Sequence, residues 1–280
     1  MLIVKNIVIE WKHDKQILLD FGYQPNAVPK PVIVFAHGFK GFKDWGHFNK
    51  VMEYFIENDF AFVKFNFSHN GGTIEQPIDF PDLEAFGNNN YTKELDDLRT
   101  IIDWVETNNL IADKELNKQQ IYLIGHSRGG GISILAANED NRIKKVVTWA
   151  AVADLVNRYN EEQINHWKKE GVIYVENART HQQMPLYYQL VENTLNNKDR
   201  FNVELASNNL NIPHLIIHGT KDEAVSVNEA SIINKWSSNS ELFIVEGAGH
   251  SFGASHPYNE TTFPPHAQIV LDHTLAFLKK

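Results

Sequence analysis

Four short stretches of this chain carry residue types that cooperate in nucleophilic acyl-transfer chemistry. Gly125-His126-Ser127-Arg128-Gly129 fits G-x-S-x-G, and Gly130 and Gly131 follow. A serine acts as a nucleophile when it stands on a sharp strand-to-helix turn. Glycines two before and two after it let neighbouring elements pack on that turn without a Cβ clash. Ile121-Tyr122-Leu123-Ile124 reads as the strand and residues 132–137 as the helix. The plain alternative is a glycine-rich turn whose serine only caps the helix. His218-Gly219-Thr220-Lys221-Asp222 follows the apolar Leu215-Ile216-Ile217. There Asp222 is placed to hold an imidazole in one tautomer and to stabilise its cation. Glu223 and Asp154 are the competing carboxylates, and a helix-start carboxylate is the ordinary reading of Asp222. Gly247-Ala248-Gly249-His250 follows the strand at 242–245, so His250 sits on a glycine-flanked loop from which a neutral imidazole takes a serine proton near pH 7. The chain has 13 histidines, so one alone means little, and His256 and His273 do not directly follow a strand. His37-Gly38-Phe39 comes after the apolar run 32–36. The backbone N–H groups of Phe39 and Arg128 are the expected pair for an oxyanion. The order Ser127, Asp222, His250, each after a strand, lifts the set above coincidence.

These residues need elements to position them, and the pattern supplies a consistent series. Residues 2–10 and 16–21 alternate as strands. Residues 26–31 break the pattern with two prolines, and 32–36 is a continuous apolar run, as in a strand buried on both faces. A helix is expected over 48–58, a buried strand over 60–67 and an amphipathic helix over 92–107. Strands at 120–125 and 145–150 flank a helix at 127–137. Strands at 214–218 and 241–245 alternate with helices at 226–236 and 266–278. Residues 68–90, rich in Gly, Pro and Asn, read as a long loop. Alternating strands and helices imply an α/β fold with a mainly parallel sheet and helices on both faces. Residues 155–208 are polar and have no buried-strand run. They read as a small helical cap inserted into a core of 1–154 and 209–280.

Composition narrows the function classes. The 280 residues include no cysteine, which excludes disulfides, thiolate metal sites and a cysteine nucleophile. The net charge is −9 and the 26 basic residues are scattered, so no nucleic-acid footprint is present. An acidic chain mildly favours neutral or cationic substrates over polyanions. No stretch of ~18 apolar residues suggests a membrane span, and residues 1–6 lack the features of a secretion signal. A cytoplasmic protein is the expectation. No H-E-x-x-H or other ligand spacing points to a metal. The glycines after Ser127 fit neither a P-loop nor a dinucleotide fingerprint. Oligomeric state is not legible.

On the four motifs just quoted, the chain resembles the α/β-hydrolase superfamily. More narrowly, it is similar to small carboxylesterases related to bacterial cinnamoyl and feruloyl esterases. The resemblance spans all but residues 155–208, where those esterases carry a cap that shapes the acyl pocket. It implies a central sheet of about eight strands, a Ser127–His250–Asp222 triad, oxyanion amides at Phe39 and Arg128, a small-molecule ester substrate and no cofactor. Related esterases often have Gln or Met where this chain has Arg128. The backbone N–H alone is needed there, so the guanidinium either structures the site or meets an anionic group. The polar cap offers no match to an aromatic acyl pocket.

Serine at 127 argues against a dehalogenase or epoxide hydrolase, which need an acidic nucleophile, and against dienelactone hydrolases, which present cysteine. Thioesterase, amidase, peptidase and carbon–carbon hydrolase chemistry stay open, as does a non-catalytic binding module on the same scaffold. His69 is read as a turn residue or a pocket wall, and Trp149 as packing or a wall. The cap aromatics Tyr159, Trp167, Tyr174, Tyr187 and Tyr188 either bind substrate or form the cap's own core.

Overall fold

A computed structural model describes residues 1–10, 13–108 and 113–280. The chain opens with strands β1 (Leu2–Ile9), β2 (Ile17–Tyr23) and β3 (Lys30–Ala36). Helix α1 (Phe48–Glu57), strand β4 (Ala61–Asn66), and helices α2 (Leu83–Gly87) and α3 (Tyr91–Thr107) follow. Next come β5 (Leu116–His126), α4 (Arg128–Glu139) and β6 (Ile143–Trp149). The segment after β6 holds α5 (Glu161–Glu170), β7 (Val172–Glu176), β8 (Gln183–Tyr187), α6 (Gln189–Asn196) and α7 (Val203–Asn209). Strand β9 (His214–Gly219), α8 (Val227–Trp236), β10 (Ser240–Val245) and α9 (Pro265–Leu278) close the chain.

Eight strands form one sheet in the order β1-β2-β4-β3-β5-β6-β9-β10. From β4 to β10 all neighbours run parallel, and β1 and β2 form an antiparallel edge. The apolar run of β3 serves both faces. Val32, Val34 and Ala36 pack in the layer with Leu98, Ile101 and Ile132 of α3 and α4, while Ile33 and Phe35 pack with Phe55 of α1 and Leu271 of α9. Burial on both faces is what such a run requires. β2 extends to Tyr23 and is buried throughout, because it has a partner on each side.

Two findings differ from the sequence expectation. The loop of residues 68–90 contains helix α2, whose N-cap Asp82 accepts the N–H of Ala85 at 2.9 Å. The segment expected to be a helical cap does contain helices, but between α5 and α6 it also has the antiparallel hairpin β7–β8. Helix α5 begins with a capping box between Asn160 and Gln163 and ends at Gly171, in the left-handed region with φ 75°. Its Trp167 is fully buried and donates its indole N–H to Leu186 O at 2.8 Å, tying α5 to β8. Helix α7 packs against α4 and α8 of the main layer.

A group of buried charges supports the loop that leaves β3. Lys64 of β4 donates to Asp20 of β2 at 2.6 Å, and both side chains are fully buried. Lys43 donates to Asp20 at 2.9 Å and to Asp44 at 2.6 Å, and Lys64 also pairs with Asp44. Two lysines against two carboxylates leave no net charge in the interior, the condition under which buried ions are tolerated. The Lys43 N–H also reaches Asn66 Oδ1 at 2.6 Å, so the end of β4 and the loop after β3 are fixed together.

Candidate active site

Ser127 lies at the junction of β5 and α4, with φ 57° and ψ −123°. A residue with a side chain in that region carries strain of order 1–3 kcal/mol, which the surroundings must hold. Its N–H is fixed on Trp149 O at 2.8 Å, and its carbonyl accepts Gly130 N–H at 2.9 Å. The flanking glycines follow from packing. A Cβ on Gly125 would lie 2.3 Å from Gly129 O, and one on Gly129 would lie 2.4 Å from His37 O. No larger residue fits at either place without moving backbone.

The loops after β9 and β10 are laced together. Gly219 lies so close to the second loop that a Cβ there would meet Ala248 O at 2.1 Å. The N–H of Lys221 donates to the same carbonyl at 2.9 Å. This brings Asp222 to His250, whose Nδ1–H donates to Oδ2 of Asp222 at 2.7 Å. The Asp222 side chain is fully buried, and its Oδ1 accepts the N–H groups of Ala224 at 2.9 Å and Val225 at 2.8 Å. His218 Nε2 lies 3.2 Å from Oδ2 and 2.9 Å from Val225 O. Burial alone would push this carboxyl up. The hydrogen bonds from His218, His250 and Val225 outweigh it and hold Asp222 well below the usual carboxylate range. The group is a fixed anion held between two imidazoles, His218 and His250. Glu223 is exposed. Asp154 is exposed too, and caps the N–H groups of Val156 and Asn157.

His126 holds the other side of His250. Its Nε2 donates to His250 O at 3.0 Å, and the two rings lie 4.8 Å apart. Burial, the largest effect, and the neighbouring His250 push the His126 pKa down to about 3, so it serves as a neutral donor. His37, after β3, is likewise driven by burial to about 4. Its Nδ1–H donates to Gly38 O at 2.9 Å and its Nε2 accepts Phe67 N–H at 3.3 Å, which fixes the turn carrying Phe39.

Phe39 and Arg128 meet through their side chains. The Arg128 guanidinium lies over the Phe39 ring, 4.5 Å from its centroid, and donates to Oε1 of Glu94 at 2.6 Å. Glu94 is buried at the start of α3, and Oε1 also accepts Asn89 Nδ2 at 2.7 Å. Burial raises the Glu94 carboxyl, and Arg128 opposes that rise. Of the two roles open for this guanidinium, the observed contacts are structural.

Two cavities meet at Ser127 and His250, and Phe39 and Lys40 line both. The larger, about 570 Å³, is walled by Trp45, Phe48, Arg179 and His256. The smaller, about 310 Å³, is walled by Tyr91, Leu155, Tyr159, Leu186 and Arg158. A cleft of about 600 Å³ beside Arg142 and Asn211 contains neither Ser127 nor His250. His256 accepts Gly46 N–H at 2.9 Å. His273 stacks on Phe243 at 3.5 Å, away from both cavities. Trp149 is core packing, its indole N–H on Thr274 at 3.1 Å. His69 is a buried turn residue within 2.8 Å of Ser68 Oγ. Of the aromatics in residues 155–208, Tyr159 reaches the smaller cavity, Trp167 is fully buried, Tyr174 is exposed and Tyr187 donates to Glu84 at 2.5 Å.

The residues that sequence reasoning left without a role are His126, His218 and Glu94. His126 and His218 were visible inside the quoted motifs. Their spacing says nothing of the hydrogen bonds that give them work.

Fold and site together define an α/β hydrolase. Within that class the chain belongs to the BD-FAE family, whose model matches residues 19–236. Est1E from Butyrivibrio proteoclasticus superposes with a TM-score of 0.71 at 19% identity, covering 99% of this chain and 98% of that one. The same protein with ferulic acid bound gives 0.72 at 20%, over 98% and 100%. The α/β hydrolase GrgF from Penicillium sp. sh18 gives 0.75 at 15%, over 100% and 98%. At these identities the likeness is one of fold. Among curated proteins, mouse monoacylglycerol lipase ABHD6 is 22% identical over 289 residues, covering 89% of this chain and 79% of its own length. Among the described residues no helix is long and apolar enough to cross a membrane.

Proposed function

We propose that this hydrolase cleaves carboxylic esters through an acyl-enzyme on Ser127. The observation that carries the reading is the 2.7 Å bond from His250 Nδ1 to the buried Asp222 side chain, with His250 and Ser127 on one cavity. With Nδ1 committed to Asp222, Nε2 of the neutral ring is the basic nitrogen left to take a proton. In the proposed cycle Ser127 Oγ attacks the ester carbonyl as His250 accepts its proton. The backbone N–H groups of Phe39 and Arg128 receive the developing oxyanion. His250 then protonates the departing alkoxide. Water, activated by the same imidazole, attacks the acyl-serine and returns the enzyme. The Arg128–Glu94 pair, stacked on Phe39, supports this reading because it locks together the two residues whose amides the oxyanion needs. No cofactor enters the cycle.

The test is a panel of 4-nitrophenyl esters from acetate to long acyl chains, with a cinnamoyl ester, on the native enzyme and Ser127→Ala. The proposal expects turnover with a chain-length preference, and a loss of about 10⁴-fold or more in kcat for Ser127→Ala. Turnover that survives the substitution contradicts it.

A further inference from the structure

The charge around the site runs opposite to the charge of the chain. The protein carries a net −9, yet among the described residues neither cavity at Ser127 has an aspartate or glutamate in its lining. Four cations line them instead: Lys40 in both, Arg179 in the larger, and Arg128 and Arg158 in the smaller. Two of these are already neutralised, Arg128 by Glu94 and Arg179 by Asp79. Arg158 is not, its guanidinium reaching Asp154 O at 3.4 Å, while Lys40 Nζ donates to Glu176 O at 3.0 Å with the Glu176 charge partly offsetting its own. Among the described residues neither forms an ion pair with a carboxylate. A whole-chain charge mildly favouring neutral or cationic substrates is thus reversed where substrate would sit.

The smaller cavity is where this matters. Leu155, Leu186 and Leu190 give it an apolar stretch suited to methylene groups, and about 310 Å³ suits a short chain. Arg158, an exposed residue, stands in its wall. Tyr91, a buried wall residue, has its phenol pushed up to about 12 by burial, and Arg128 and Arg158 both pull against that rise. An unpaired guanidinium beside an apolar channel is a recognition element for a carboxylate.

We propose that the smaller cavity takes an acyl chain ending in a carboxylate, held by Arg158 with Lys40 adding to the field, so that the preferred substrates are half-esters of short dicarboxylic acids. This rests on the esterase reading above. In the reaction the bond between acyl carbon and alkoxy oxygen breaks. Water gives its hydroxyl to the acyl carbon and one proton to the departing alkoxide, and the new carboxylic acid loses its proton to solvent, leaving a dicarboxylate and the alcohol.

The test compares 4-nitrophenyl hemiadipate with its neutral methyl-capped diester, using native enzyme, Arg158→Gln and Arg158→Glu, with Ser127→Ala as background. The free carboxylate should raise kcat/KM by on the order of tenfold over the capped ester, mainly through KM. That ratio should shrink with added salt, fall towards unity in Arg158→Gln and fall further in Arg158→Glu. Equal or faster turnover of the capped ester by native enzyme, or a ratio unmoved by both substitutions, overturns this inference and leaves the esterase reading standing. No turnover of either ester, with Ser127 still labelled by a fluorophosphonate, overturns both.

Discussion

His250 retains few degrees of freedom. Asp222 holds Nδ1, His126 holds the backbone carbonyl, and the glycine-rich contact between the β9 and β10 loops sets their separation. Asp222 accepts two backbone N–H groups besides the imidazole, so its position does not depend on His250. Asp222→Asn should keep those contacts in shape but no longer fix the useful tautomer. We expect kcat to fall by about 10³–10⁴-fold with KM little changed, checked by steady-state kinetics on the best ester. A large rise in KM with kcat preserved would show that Asp222 shapes binding instead. Much of this arrangement was legible in the sequence, because Ser127, Asp222 and His250 each follow a strand in a fixed order. Glu94 was not. In sequence it reads as an acidic residue placed to favour the start of α3. The fold turns it inward onto Arg128, and only a tertiary contact reveals that.

At the scale of elements, the hairpin β7–β8 sets the wall of the smaller cavity through Leu186. It rests on α2, where a Cβ on Gly87 would lie 2.8 Å from the Tyr187 ring, and Tyr187 donates to Glu84 at 2.5 Å. A rigid ring cannot yield cheaply to that methyl, so in Gly87→Ala the hairpin itself must move. We expect discrimination between short and long acyl chains to flatten by several-fold in kcat/KM, while a small fluorophosphonate still labels Ser127 at its native rate. An unchanged chain-length profile would show that the hairpin does not shape the pocket. These strands hid for physical reasons. Each has five residues, and β8 contains Pro185, which normally demotes a strand and is tolerated because a two-stranded hairpin leaves its N–H side free. Helix α2, also five residues, is too short to show a period. The long parallel strands had no such disguise, since burial on both faces demands unbroken apolar runs such as Val32-Ile33-Val34-Phe35.

At the scale of the whole molecule, buried titratable groups set how stability responds to pH. Burial is the first cause in every case for the histidines concerned. His37 and His47 are pushed down to about 4, and His69, His126 and His214 to about 3. The unfolded chain binds protons at these rings near pH 6.5, and the folded one does not until 4 or below. Between those limits the unfolded state carries more protons, so stability falls as pH drops. Each such histidine removes about 1.4 kcal/mol per pH unit in that window. Asp44, held down to about 2 by Lys64 and Lys43 against its burial, adds a further loss only below its ordinary value. Urea midpoints should therefore fall from pH 6.5 towards 4, less steeply than the histidines alone would give, because burial raises the Glu94 and Asp97 carboxyls and these take up protons in the folded state over part of the same range. A flat profile across that window would contradict the picture of histidines buried neutral. The pairing of Lys43 and Lys64 with Asp20 and Asp44 was not readable from the chain, because four charges scattered over 45 residues of sequence meet only once β2 and β4 pair.

Whether Ser127 is the nucleophile is answered by mapping where a fluorophosphonate probe attaches. Intact-mass and peptide mass spectrometry of the treated native enzyme should show a single adduct on Ser127, with ester turnover lost in step. His250→Ala and Ser127→Ala should stay unlabelled under the same exposure. An adduct at another residue, or turnover that continues after Ser127 is fully modified, would contradict the account.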